Sequence, residues 1–536
     1  MKLETFFEKF ALFADAPDSV AKLRELVLQL AVTGRLVGSK PGDGDARRIF
    51  DEVPAVGESR FEVPENWIWI RFASVGAQRL GKMLDQKGNK GMLKPYLRNT
   101  NVQWMRFELD DIKALRLAAE ELDEYRLVPG DLLICEGGEP GRCAIWQDAE
   151  REMYFQKAIH RVRPRDGILA EYLAICLQID ARNGVLDKYF TGATIKHLTG
   201  RSLSEYSVPL PPLPEQKRIV AKVDELMALC DRLEAQQQDR ESRERDLARA
   251  ALARFAEAPT PANLDLLFHQ SFAVPPADLR KSILTLAVQG KLVPQDPNDE
   301  PAEELIARIA QMRRAKKLKE YAPVDSEAVP FDSPYSWSWV RLGSLSLSSD
   351  SGWSPQCHSQ SREGTEWGVL KVSAVSWGVF KPEENKALPS GMEARPDCEV
   401  RPGDFLLSRA NTEELVARSV VVDQTPPRLM MSDKIVRFTF PDEIEKAFIN
   451  LANLSEPSRD YYMRNASGTS SSMKNIGREV MCNLPVALPP LAEQKRIVAK
   501  VGELMALVDQ LEAQQAAART TAEKLLEAAV AELTAQ

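Results

Sequence analysis

One stretch of the chain combines basic side chains with amides, a combination suited to binding nucleic acid. Residues 86–107 read QKGNKGMLKPYLRNTNVQWMRF and contain no aspartate or glutamate. Lysine and arginine neutralise phosphates, whereas the paired donor and acceptor of an asparagine or glutamine amide can read adenine in a major groove. The candidate DNA-binding residues here are Lys90, Lys94, Arg98, Asn99, Asn101 and Gln103. The alternative is that this stretch is a flexible basic loop that is solvated at the surface and binds no nucleic acid.

Two short loops of small residues, each followed by lysine, suit contacts to phosphate. One reads TGATIKHLT at 191–199, and TSSSMKNIG at 469–477 matches it 278 residues later. Small residues let the backbone approach a phosphate closely, and the lysine adds a positive charge. The candidates in these loops are Thr194, Lys196, Ser472 and Lys474.

Further candidates lie where the two halves of the chain can be aligned. Lys157 in FQKAIHRVRP is aligned with Lys434 in SDKIVRFTFP, and both segments alternate as strands do. The alternative for these two lysines is an exposed charge that protects a sheet edge. The segment 368–377, aligned with 96–104, supplies three more candidates, Lys371, Ser373 and Ser376.

The chain lacks the motifs expected of a catalyst. It has no N/D-P-P-F/Y motif for a flipped adenine and no glycine-rich strand–turn–helix for S-adenosylmethionine, and GRLVGSKPG at 34–42 fails the phosphate-loop spacing. The seven cysteines form no C-x-x-C pair, and with four scattered histidines they favour a reducing compartment over a zinc site. The sequence therefore predicts no catalytic residue, no cofactor and no metal in this chain.

Composition agrees with several ordinary globular domains. The chain has 536 residues, 44% of them hydrophobic, and a formal net charge of −8. DNA binding would then depend on how the charge is distributed and not on its total. Because no run of 18 apolar residues occurs and charges interrupt the apolar N-terminus, we expect neither a membrane span nor a secretory signal. A cytoplasmic location is the simplest expectation.

The candidates are carried on a chain that is built twice. Residues 210–237 recur at 488–515 with four of 28 positions changed, and 23–37 shares nine of 15 positions with 279–293. A segment that alternates around tryptophan, as strands do, follows each of the earlier copies: ENWIWIRFASVG, and later YSWSWVRLGSLS. The order of helix, β-rich segment and long helix thus occurs twice and predicts a pseudo-two-fold repeat.

Each near-identical segment has apolar residues at heptad spacing, which predicts a helix whose apolar seam needs a partner. The predicted helix-pairing residues are Ile219, Val223, Leu226, Cys230 and Leu233, with their copies Ile497, Val501, Leu504, Val508 and Leu511. No glycine or proline interrupts 215–257, so a rod of about 40 residues, roughly 60 Å long, is expected. The simplest partner for each helix is its own copy, and the alternative is that each covers a separate globular core.

Basic residues stand at the start of both predicted helices, at Lys217-Arg218 and Lys495-Arg496. Cations at a helix N-terminus oppose the macrodipole, so a compensating charge is expected. It could come from a partner subunit, from DNA phosphate or from acidic residues of the neighbouring domain. The alternative is that the side-chain stems cover apolar surface while their charged ends stay in water.

These motifs together resemble the specificity subunits of type I restriction-modification systems. The resemblance rests on LPPLxEQKRIV at each long helix, LRxxxLxLAVxGxLV ahead of each β-rich segment, W-x-W-[IV]-R-[FL] and PGD[LF]L, and it covers nearly the whole chain. It implies an α+β fold in which two long antiparallel, coiled-coil-like helices separate two β-rich target-recognition domains. A charged linker containing RIAQMRRAKKLKE at 308–320 is longer than the minimal pattern.

The resemblance also implies a domain layout and a division of labour. The predicted segments are an N-terminal helical segment (1–60), a first recognition domain (61–209), a central spacer helix (210–258), a helical linker (259–332), a second recognition domain (333–487) and a C-terminal spacer helix (488–536). Each recognition domain would read half of a bipartite site in double-stranded DNA, while the helices set the spacing and dock two modification (methyltransferase) subunits. Restriction (translocase and nuclease) subunits would join through these in phage defence. S-adenosylmethionine, ATP and Mg²⁺ are implied only on the partner subunits.

Two other functions are open to the sequence. A DNA-independent scaffold could use its paired modules to bind proteins, and a self-contained nuclease–methyltransferase is disfavoured because the motifs for methyl donor and phosphate are missing.

The salt dependence of binding separates DNA recognition from a protein scaffold. We expect the affinity of the chain for duplex DNA to fall steeply as salt rises, because each phosphate contact releases counterions. Fluorescence anisotropy of a labelled duplex measures this. If the chain bound no DNA, and its affinity for a protein partner did not change with salt concentration, the result would instead support the scaffold.

Overall fold

The computed structural model describes residues 16, 18–54, 57–85, 89–192, 194–268, 274–376, 378–468 and 473–535. The candidate Ser472 lies outside these ranges. The chain divides into two compact units, one of residues 1–240 with 517–536 and the other of residues 241–516. Across the described ranges, no helix is both long and apolar enough to cross a membrane.

The first half of the chain contains α1 (Ser19–Val32), β1 (Ile68–Arg71), β2 (Gly76–Leu80), β3 (Met92–Leu97), β4 (Val102–Gln103), β5 (Arg106–Phe107), β6 (Lys113–Leu117), α2 (Leu122–Tyr125), β7 (Leu132–Cys135), β8 (Cys143–Ile145), β9 (Tyr154–Phe155), β10 (Ile159–Pro164), α3 (Ala170–Arg182), α4 (Gly200–Glu205), β11 (Ser207–Leu210) and α5 (Leu213–Glu257). Strands β2-β10-β7-β8 form one antiparallel sheet, and β6-β3-β9 form a second in which β9 runs parallel to β3. Strand β1 pairs with β11, with Ile68 opposite Leu210, and this brings the chain to the start of the long helix.

The second half contains α6 (Pro261–Leu267), α7 (Pro276–Val288), α8 (Ala302–Ala315), β12 (Ser338–Arg341), α9 (Leu342–Leu345), β13 (Ser348–Ser351), β14 (Gly368–Leu370), β15 (Asn385–Ala387), β16 (Phe405–Ser408), β17 (Ala410–Asn411), β18 (Ser419–Val421), β19 (Leu429–Met430), β20 (Ile435–Thr439), α10 (Lys446–Leu454), α11 (Glu456–Asn465), β21 (Lys474–Asn475), α12 (Arg478–Cys482), β22 (Pro485–Leu488) and α13 (Leu491–Ala535). Its sheets, β13-β20-β16-β18 and β15-β14-β19, repeat the strand order of the first half, and β12 pairs with β22. The duplication in sequence therefore extends to strand order and pairing.

The near-identical segments 210–237 and 488–515 contain the starts of α5 and α13, helices of 45 residues each. In the first unit, the seam residues from Ile219 to Cys230 are buried in one core with α1, α3 and the end of α13, including Leu526. In the second unit, the seam from Ile497 to Val508 shares a core with α7, α10 and the end of α5, including Phe255. Each seam thus covers the core of its own domain and also packs with the end of the other long helix. Leu233 and Leu511 are only partly buried against these cores.

Buried amide side chains fix the first turn of each long helix to its domain. The Gln216 side chain is fully buried, donates to Pro211 O (2.8 Å) and accepts from the Leu169 N–H (2.8 Å). Gln494 makes the equivalent two bonds, at 2.8 and 3.1 Å. The glutamine of LPPLxEQKRIV therefore joins the helix to the backbone ahead of α3 or α10.

The preceding glutamate and the following arginine complete this attachment. Buried Glu493 accepts a bond from the Trp337 indole N–H (3.0 Å), and burial raises the pKa of its carboxyl. Arg218 pairs with the carboxylate of Asp43 at 2.5 and 2.7 Å and holds the pKa of that carboxyl below its usual value, whereas Arg496 reaches Asp299 at 2.6 and 3.2 Å.

These ion pairs identify the compensating charge at the helix starts. It comes from the chain's own helical segments, 1–60 and 259–332, because Asp43 and Asp299 lie there. The neighbouring Lys217 and Lys495 are exposed.

Removing the buried amides should destabilise the attachment of helix to domain. Gln216→Ala or Gln494→Ala should lower the free energy of unfolding by about 1–3 kcal/mol, since buried backbone groups lose their partners. Denaturation followed by circular dichroism gives this value, with the exposed neighbours Lys217→Ala and Lys495→Ala as controls expected within about 0.5 kcal/mol of wild type. Equal losses in glutamine and lysine variants would show that the amides do not anchor the helices.

Candidate nucleic-acid interface

Several candidate residues of the first unit meet at the end of the interior strand β7. After Cys135 the chain continues as Glu136-Gly137-Gly138, and the Asn99 side-chain amide donates to Gly137 O at 3.2 Å. Gly137 also forms a β-bridge with His197. We name the surface formed here the first edge; it comprises residues 98–104, 136–142, 191–192 and 194–198.

The loop that carries Lys196 is fixed to this strand end. Thr191 and His197 exchange two backbone hydrogen bonds of 2.8 Å, and the Leu198 N–H donates to Glu136 O at 2.7 Å. Thr194 and Lys196 are exposed, and the Lys196 ammonium lies 3.6 Å from a carboxylate oxygen of Asp187. With 57% of its side chain accessible, Lys196 can still reach a phosphate.

The second unit builds the same arrangement after β16. Strand β17 pairs with β21, which contains Lys474, and the Ile476 N–H donates to Arg409 O at 2.8 Å. The Asn411 amide donates to the Ser376 hydroxyl at 2.9 Å. The second edge comprises residues 371–376, 409–414, 467–468 and 473–476. The Lys474 ammonium is half-buried and donates to Gly468 O at 3.1 Å.

Three candidates serve the architecture of the loops. Asn101 is 3% exposed, accepts from the Arg98 N–H (2.9 Å) and donates to Glu108 O (2.9 Å), so its amide is fully used within the loop. Ser376 is 2% exposed and donates to Val372 O at 2.7 Å. The Gln103 amide donates to Thr100 O at 3.0 Å. Asn101, predicted to read adenine, and Ser376, a candidate for DNA contact, are both buried and are not placed to contact DNA.

Acidic residues from other segments pair with several candidate cations. Lys94 binds the Glu152 carboxylate at 2.8 and 2.9 Å, and Arg98 binds the Asp111 carboxylate. In the second unit, the Glu384 carboxylate accepts from the Ser373 hydroxyl at 2.8 Å and lies 3.6 Å from the Lys371 ammonium. The stretch without acidic residues is therefore not a free positive patch in the fold.

The strand lysines do not occupy equivalent positions. The Glu136 N–H donates to Ala158 O (2.9 Å), and the equivalent Arg409 N–H donates to Lys434 O (2.8 Å), so Lys434 corresponds to Ala158 and not to Lys157. The predicted equivalence of Lys157 and Lys434 is wrong because the second domain has one more residue between Lys434 and Pro441 than the first has between Ala158 and Pro164. Lys157 and Lys90 are exposed, and Lys434 pairs with Asp433 at 2.9 Å.

The sequence did not single out the segments that organise both edges. Glu136 to Gly138 and Arg409 to Asn411 directly follow the PGD[LF]L turns and their strands. The signal that marks both segments in the sequence is their position, within five residues after each PGD[LF]L turn. Trp104 joins the same surface through its indole N–H, which donates to the Glu139 carboxylate at 2.7 Å.

Each edge thus presents backbone groups, asparagine side chains and a loop lysine from three chain segments. Such groups can position phosphates and contact base edges. Within the described ranges, no cluster of three or more histidine, cysteine, aspartate or glutamate residues is placed to hold a metal ion.

Comparisons with known proteins agree on one family. Residues 64–240 match the family described as type I restriction modification DNA specificity domain. The EcoEI specificity subunit of Escherichia coli is 30% identical over 94% of this chain and 92% of its own length, and the EcoAI specificity subunit of Escherichia coli is 24% identical over 92% and 90%. The crystal structure of the HsdS subunit from Thermoanaerobacter tengcongensis covers 88% of this chain and 98% of its own, with 17% identity and a TM-score of 0.43.

The two loop lysines should contribute charge without sequence preference. Lys196→Gln and Lys474→Gln should each weaken binding to any duplex and reduce the slope of log affinity against log salt by about 1. Anisotropy titrations of the full chain measure the slope. Lys113→Gln and Lys386→Gln, on the outer strands β6 and β15, are matched controls, and an equal effect in all four variants would remove the loops from the interface.

Proposed function

Because this chain belongs to the family of type I restriction enzyme specificity subunits, we propose that it selects the DNA sequence for a type I restriction-modification complex. The observation that carries the proposal is that two domains with the same strand order have edges made of different residues. An equivalent backbone hydrogen bond attaches each edge loop to the end of a strand: the Leu198 N–H donates to Glu136 O, and the Ile476 N–H donates to Arg409 O.

In this proposal each edge reads its own half of a bipartite target. The domains differ on these edges: His197 and Gly138 are exposed in the first, and the half-buried Asn475 and Asn411 stand in their places in the second. An asparagine amide and an imidazole offer different donor and acceptor patterns to base edges. The two half-sites would therefore differ in sequence although the scaffold that presents the reading groups is shared.

The long helices would dock two equivalent modification subunits and set the spacing of the half-sites. Residues 210–237 and 488–515, which contain the helix starts, differ at only four of 28 positions, and Lys217 and Lys495 are exposed at matching places. Equivalent partners require equivalent surfaces, whereas different half-sites require different ones. An antiparallel pair of such helices would place two half-sites roughly one helical turn apart, about 34–36 Å.

The chain itself would carry out no bond chemistry. Adenine N6 methylation on a flipped base would belong to the modification subunits with S-adenosylmethionine, and ATP-driven cleavage with Mg²⁺ to the restriction subunits. We place this complex in the cytoplasm, where its double-stranded DNA target lies.

Exchanging one recognition domain should change one half-site only. We expect replacement of residues 333–487 by the corresponding segment of a relative to alter one half of the methylated motif, because each domain reads independently. Long-read sequencing of DNA from cells that express the chain with its modification subunits reveals the motif. The reciprocal exchange of 61–209 is the matched control and should alter the other half.

A motif that is the same with and without this chain would refute the proposed function. A motif in which one exchange changed both halves would refute independent reading.

A further inference from the structure

Each recognition domain exposes one large apolar side chain in its edge loop. Ile195 is 65% exposed and Met473 is 57% exposed. The two residues occupy equivalent positions, because each is followed by the loop lysine and then by the residue that closes the loop, His197 or Asn475. A single exposed apolar side chain is ordinary, but its presence at the same place in both domains, on the edges proposed to contact DNA, suits a contact with a partner.

The loop backbone fixes where these side chains stand. In each loop a glycine with positive φ, Gly192 at 95° and Gly468 at 112°, lies against the carbonyl of the apolar residue. An added Cβ would come within 2.2 Å of Ile195 O and 2.5 Å of Met473 O, so a larger residue at either glycine would displace that carbonyl group. Two backbone bonds close each loop, of 2.8 Å between Thr191 and His197 and 2.9 Å between Ser467 and Asn475.

The surroundings of the two side chains favour DNA over a protein partner. Both stand beside a lysine and on the edge that carries Asn99 or Asn411. The residues differ between the domains, isoleucine in one and methionine in the other, whereas residues 210–237 and 488–515, proposed to dock two equivalent subunits, are nearly identical. Apolar side chains contact the methyl group of thymine or enter between base pairs, and both contacts depend on sequence.

We infer that Ile195 and Met473 make apolar contacts with the bases of duplex DNA, one in each half-site, and so determine part of the specificity. This inference rests on the proposed function and adds the residues through which it acts. The adjacent lysine holds the backbone phosphate while the apolar side chain contacts the bases.

The test compares polar and apolar replacements in the full chain expressed with its modification subunits. Ile195→Ser should relax or erase one or more base positions in one half of the methylated motif, and Met473→Ser should do so in the other half. Binding to a duplex that carries the wild-type motif should weaken about fivefold or more for each variant. Ile195→Val and Met473→Leu should retain the wild-type motif because they keep an apolar side chain.

Val53→Ser and Tyr335→Ser are the controls. They alter other exposed large side chains, which precede strands β1 and β12, and should leave the motif unchanged. Unchanged motif and affinity in both loop serine variants would overturn the inference while leaving the proposed function intact. Loss of the motif in the valine and leucine variants as well would also overturn it, since an apolar contact would then not be the requirement. The proposed function fails separately, if the wild-type chain directs no motif at all.

Discussion

The attachment of each long helix to its domain is the interaction on which the rest of the structure depends. Gln216 and Gln494 are fully buried in the first turn. Each bonds a carbonyl just before its helix and an N–H just before α3 or α10. Arg218 and Arg496 bind carboxylates of the segments 1–60 and 259–332. Buried polar groups are costly unless every partner is present, so this arrangement permits one orientation of helix and domain. A recognition edge can only be placed reproducibly on DNA if its domain does not rotate on the helix that carries it.

The seams add the apolar part of the same attachment. From Ile219 to Cys230 and from Ile497 to Val508, each seam is buried in the core of its own domain together with the end of the other long helix. Burial raises the pKa of the Cys230 thiol to about 11, consistent with a packing residue and not with a reactive one. A shared core geometry in both units explains why residues 210–237 and 488–515, which contain the helix starts, are nearly identical while the edges differ.

Local patterns in the sequence predicted the long helices, the repeat and the tryptophan-bearing strands, because heptad spacing and alternation are properties of neighbouring residues. They did not predict which polar side chains are available at the edges. Asn101 looked like a base reader, yet it is buried, and Lys94 is neutralised by Glu152, 58 positions away. One additional residue near the end of β20 was enough to misalign Lys157 with Lys434, since pairing register depends on the neighbouring strand.

If each edge contacts its own half-site, a photoreactive group on an edge should crosslink to the DNA of that half-site. A photoreactive amino acid would be placed at position 196 or 474 in the complex with its modification subunits, bound to a duplex that carries the methylated motif. We expect a crosslink from position 196 within one half-site only and from position 474 within the other. Crosslinks from both positions to the same half-site, or to no DNA at all, would contradict it.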